Sequence, residues 1–138
     1  MEKVPKFEIP KLSAEQQRLV DQILQDIEIF NEVITDCEAR IPALRDALSD
    51  ACVRAEYVQG ENTRLQKFLD ENPSIPAIQR QEYDSGIRES NEQTRLAIET
   101  GAHSLTEQEN ILRDALLHKT LVQAEYRKVV FGSEDVAH

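Results

Sequence analysis

FLDENPSIPAIQR, residues 68–80, is where long helical text stops, and its reading decides the fold. Asn72 tolerates the left-handed conformation that closes a helix, and Pro73 forbids continuation. Ser74 is the predicted N-cap of the next helix, with Ile75 and Pro76 in its first turn, where a missing proline amide is harmless. The predicted connection is therefore residues 72–75, short enough to send the chain back antiparallel to itself. Asp70 and Glu71 then stand at the tip of a hairpin.

Upstream, Ser13-Ala14-Glu15-Gln16 reads as a capping box and predicts a helix over 13–71. Its apolar positions step by three and four without losing phase: Val20, Ile23, Ile27, Phe30, Ile34, Cys37, Ile41, Leu44, Leu48, Ala51, Ala55, Val58, Asn62, Leu65, Leu69. An ordinary amphipathic stripe at 3.6 residues per turn drifts by about 20° per heptad, so a seam that holds phase from Val20 to Leu69 predicts a coiled coil. Pro42 lies inside this seam and costs about 3 kcal/mol in a helix interior. Because the phase persists from Ile34 to Leu48, a kink is expected there and no loop. Asn62 at a core position has two readings, a device that fixes register or a solvated defect.

Downstream, a helix is predicted over 76–131, ended by Gly132 with Lys128 in its last turn and followed by an acidic tail, 133–138. Gly101 before Ser104-Leu105-Thr106-Glu107 offers a break and a second capping box. A lone helical glycine costs only about 1 kcal/mol against alanine, so continuity is preferred. Each arm would be about 80 Å long at 1.5 Å per residue. The return arm carries its apolar weight late, in Ile111, Leu112, Leu116, Leu121, Val122, Tyr126, Val129 and Val130. Antiparallel pairing sets that weight beside residues 19–34, where Leu19, Leu24, Ile29 and Val33 widen the face of the first arm. The surplus predicts a homodimer in which two hairpins pair as a four-helix bundle. The fold expectation is thus all-α, a long antiparallel hairpin paired in this way. Its oligomer and core seam comprises Val20, Ile23, Ile27, Phe30, Ile34, Ile41, Leu44, Leu48, Leu112, Leu116, Val122 and Tyr126.

Residues 1–12 read as an extended leader, with Val4, Phe7, Ile9 and Leu12 spaced by prolines and lysines. Packing on its own bundle, crossing to a sister subunit and docking on another protein all remain open for it. Val4, Phe7 and Ile9, together with Asp70 and Glu71, are the candidate partner-binding residues.

Composition narrows the function. The length of 138 residues suits one domain, and 5% aromatic with 30% charged residues and no Trp suits helices and argues against an all-β fold. A net charge of -10, with Lys and Arg interspersed among the acids, opposes binding to nucleic acid and to anionic membrane. A protein partner, neutral or basic, is expected. No long apolar run or signal peptide is read, and Cys37 and Cys52 lie about four turns apart on one helix, too far for a disulfide. A cytoplasmic protein with reduced cysteines fits. His103, His118 and His138 make no metal pattern, the glycines form no phosphate loop, and Cys37 faces an apolar seam with no cationic environment to make it a nucleophile. No cofactor, no metal and no enzymatic activity are expected.

A hairpin with Asp70 and Glu71 at its tip is similar in general shape to elongation factors of the Gre type. Those factors insert an acidic coiled-coil tip into RNA polymerase to help hold a catalytic magnesium. The second globular domain that they use for docking is not expected within these 138 residues. Prefoldin also resembles a two-armed coiled coil, but its arms join through β-hairpins, and residues 70–77 carry no strand text. The leading expectation is a non-catalytic coiled-coil adaptor or assembly protein acting through helix–helix contacts. The alternative is an acidic regulator or inhibitor of a large nucleic-acid enzyme, acting through a Gre-like tip or by blocking a basic cleft.

Overall fold

A computed structural model describes residues 12–132. It holds two helices, α1 (Ala14–Glu71) and α2 (Ala77–Phe131), packed as an all-α hairpin with no strand among the described residues. The leader residues Val4, Phe7 and Ile9 and the tail 133–138 lie outside this range. None of the described helices is long and apolar enough to cross a membrane.

The start of α1 follows from its capping box. The Ser13 amide donates to Gln16 Oε1 (2.9 Å) and the Gln16 amide donates to Ser13 Oγ (3.0 Å), so two amides that a helix leaves without partners are satisfied reciprocally. Ser13 is the cap and Ala14 the first helical residue. α1 then runs through Pro42 without a loop. Pro42 is exposed, so the Glu38 carbonyl that its missing amide leaves unpaired lies on the watered side.

The connection differs from the reading of residues 72–75. Asn72 does not take the left-handed conformation, since no non-glycine described residue has positive φ. Its side chain closes α1 instead, Nδ2 donating to the Phe68 carbonyl at 2.8 Å. Ser74 is not the N-cap of α2. The helix begins at Ala77, and the Pro76 carbonyl accepts its first turn's bond from the Arg80 amide (2.9 Å). The side chain that ties the two ends is Arg80: Nη1 donates to the Leu69 carbonyl (3.0 Å) and Nη2 to the Asn72 carbonyl (2.8 Å). Carbonyls at a helix C-terminus lack intrahelical donors, and a guanidinium fork supplies two together with a favourable charge. Beneath this clamp Leu69 is fully buried.

α2 continues through Gly101, and the pattern at Ser104 does not start a new helix. A Cβ on Gly101 would lie 3.3 Å from Leu48 Cδ1, so the glycine sits where the two helices are close. At its far end Gly132 takes a φ of 90° and its amide donates to the Lys128 carbonyl (2.9 Å), the left-handed closure that glycine adopts without a Cβ penalty.

The described chain forms two compact units. The first joins residues up to Glu38 with α2 from Asn110 onward, and the second is Ala39–Glu109. In the first, Phe30 stacks on His118, ring centroids 5.8 Å apart and planes at 22°. In the second, Asn62 meets Ser90, Leu48 meets Gly101, and Arg45 meets Glu109. Partner numbers on α2 rise as those on α1 fall, which is antiparallel pairing.

Candidate interaction surface

The inward positions of α1 follow its heptad positions. Val20, Ile23, Ile34, Cys37, Ile41 and Leu69 are buried, while Ile27, Phe30, Leu44 and Leu48 are half-buried. On α2, Leu112, Val122 and Tyr126 are half-buried. Leu116 is 46% exposed, and its neighbour Ala115 takes the buried position. Leu116 therefore belongs to a flank of the hairpin and not to its interior. A seam covered by one partner helix leaves one side of each large residue near water, which explains the many half-buried positions.

The inward line of α2 is regular but chemically mixed. Arg80, Tyr83, Ile87, Ser90 and Thr94 are covered at steps of three and four, and so are Ile98, Gly101, Leu105, Gln108, Leu112, Ala115 and Lys119. Polar and small residues occupy much of this line, so its period shows as hydrophobicity mainly toward the carboxyl end of α2. Asn62 is a paired seam residue: its Nδ2 donates to Ser90 Oγ (2.9 Å) and to Asn91 Oδ1 (2.8 Å), and Ser90 Oγ donates on to the Ile87 carbonyl (3.1 Å). Of its two readings, the solvated defect does not fit these cross-helix bonds.

Above the filled seam of the first unit, large apolar side chains stay in water. Leu19, Leu24 and Ile29 (52% exposed) do so on α1, as do Ile111, Leu116, Leu117 and Leu121 (56%) on α2. At about 100° per residue, Leu19 and Ile29 share one flank of α1 while Leu24 lies on the other, and Ile111 and Leu116 divide α2 in the same way, with Leu117 and Leu121 close together on its outer side. Both flanks thus carry apolar side chains. The Phe30–His118 stack lies between them, and His118 Nδ1 is 2.7 Å from the Asp114 carbonyl, which fixes the ring against α2.

At the tip, Asp70 and Glu71 are exposed, and Asp70 Oδ1 accepts from Gln66 Nε2 (3.2 Å). Farther along α2, Arg95 bonds Glu92 and Glu99 on the exposed surface. Its hydrogen bond holds the Glu92 carboxyl below the usual carboxylate range, while the two glutamates raise the Arg95 guanidinium. These are helix-surface pairs at spacings of three and four, and such pairs support the helix locally. Among the described residues no three His, Cys, Asp or Glu side chains gather to hold a metal ion. In the second unit an open groove is lined by Leu44, Ala47, Leu48, Ala51, Leu96 and Ala97. Comparison of the chain with family profiles, with curated proteins and with solved structures finds no match.

Proposed function

We propose that this chain is a non-catalytic coiled-coil assembly protein that acts through helix–helix contacts, and that two copies pair through their first units as a four-helix bundle. The observation that carries the reading is the apolar surface left over there. Ile29, Leu116, Leu117 and Leu121 remain about half exposed although the seam beneath them is filled. Covering a half-exposed aliphatic side chain is worth about 1 kcal/mol, so a set of them on both helices provides a substantial drive to associate. The free thiols Cys37, buried, and Cys52, exposed, support a reducing compartment such as the cytoplasm.

Ile29→Asp with Leu121→Asp tests this directly, because both side chains lie outside the seam and their loss spares hairpin packing. Sedimentation equilibrium should give a multiple of the 15.8 kDa chain mass for the native protein. The double variant should sediment at a lower mass than the native protein, having lost the contact between first units, while its helical circular dichroism stays unchanged. A native chain that sediments as a monomer, or a double variant of unaltered mass, would overturn the pairing.

A further inference from the structure

The second unit carries an outward face on α1 that its own hairpin does not use. Val53 is 62% exposed, Tyr57 69%, and Phe68 is half exposed. Gly60 lies among them in mid-helix, with nothing within 4 Å of where its Cβ would be. Taking about 100° per residue, Val53, Glu56, Tyr57, Arg64 and Lys67 all fall within about 60° of Gly60. The seam residues Val58, Asn62 and Leu65 fall on the opposite side. Glycine in a helix interior is less stable than alanine, and Gly101 shows what offsets that in this chain, a close approach to Leu48. Gly60 has no such neighbour among the described residues.

Next to Gly60 the charges on this face divide by sign: Glu56 precedes it, and Arg64 and Lys67 follow it, with Arg45, Asp46 and Glu71 farther out on the same face. Arg64, itself exposed, is bonded to the half-buried Glu61 of the adjacent turn, a surface pairing that water and other acids can exchange. An identical helix laid antiparallel across Gly60 meets this face with opposite signs: Arg64 lies over Glu56 of the other copy, and Lys67 beside its Val53, one turn from its Asp50. A parallel copy would set Arg64 on Arg64 and Glu56 on Glu56. A two-fold axis repeats each favourable contact twice, and a glycine at the crossing lets the two backbones approach while Val53 and Tyr57 close around it.

We propose that a second copy of this chain docks here, α1 crossing α1 antiparallel at Gly60, with paired Arg64–Glu56 contacts on either side. This contact goes beyond the pairing through the first unit, and each can be broken separately. A chain with two distinct two-fold contacts assembles past the dimer.

The test uses the full chain with Ile29→Asp and Leu121→Asp, so that sedimentation velocity reports the second contact alone. Self-association should persist in that background and fall at least tenfold with Gly60→Leu, even though leucine favours the helix and should raise the melting temperature. Arg64→Glu and Glu56→Arg should each weaken association about tenfold, and the two together should restore it. A background chain that stays monomeric, a Gly60→Leu variant that associates unchanged, or a charge exchange without rescue would each overturn the proposal. Cross-linking gives a second readout with the first unit intact. In a Cys52→Ser chain, Gly60→Cys should form a disulfide-linked dimer under mild oxidation at least ten times faster than Gly86→Cys, whose position on α2 is equally open. Equal rates would overturn the crossing at Gly60.

Discussion

At the scale of single residues, the hairpin turn depends on a side chain that spacing does not advertise. Asn72, Pro73 and Pro76 mark the stop in the sequence, yet the side chain that ties its two ends together is Arg80, eleven residues from the Leu69 carbonyl that it caps. Arg80→Ala removes two charge-assisted bonds to the Leu69 and Asn72 carbonyls, leaving them only the backbone amides of Asn72 and Ile75. It should lower stability by about 1–3 kcal/mol, read from the urea midpoint. Arg80→Lys should recover only part of this, since an ammonium cannot span both carbonyls as a fork does. An unchanged midpoint for Arg80→Ala would mean that water serves the turn equally well. Asn62 was legible as a polar residue on an apolar line, but a paired contact requires Ser90 and Asn91 to arrive beside it. Arg80 was not legible, because a lone arginine at the start of a helix resembles any solvated charge until the fold brings two carbonyls to it.

At the scale of elements, the two helices were read with different success for a physical reason. α1 carries branched and aliphatic residues at nearly every inward position, so its period is visible as hydrophobicity. α2 keeps its period, but Ser90, Thr94, Gly101, Gln108 and Lys119 occupy inward positions, where coverage comes from α1 and not from their own chemistry. Gly101 shows this best, for it resembles a helix breaker and serves as a small residue against Leu48. Gly101→Ala should be close to neutral, its helix propensity gain of about 1 kcal/mol offset by a Cβ that makes Leu48 give way. Gly101→Leu should destabilise by about 1–3 kcal/mol through overpacking, measured by the same urea titration. A leucine that stabilises the protein would show that the helices part there without cost.

At the scale of the whole molecule, the proposed assembly draws on apolar surface and leaves the acidic tip out. Asp70→Ala with Glu71→Ala should therefore leave both the sedimentation mass and the melting temperature unchanged, and a shifted mass would move the assembly contact to the tip. The same double variant tests the alternative reading, in which those acids act on a basic cleft, once a partner is in hand. The all-α class, the two arms, the cap at Ser13 and the stop near residue 72 were set by the sequence alone. They depend on local propensities and on an unbroken heptad, which act within one helix or one turn. Tertiary structure decided that Gly101 is a seam contact, that Asn62 has partners, that Arg80 closes the turn and that Leu116 faces outward beside a buried Ala115. Each of these depends on which residue of the other helix lies opposite, and that register is a property of the packed pair that neither arm encodes by itself.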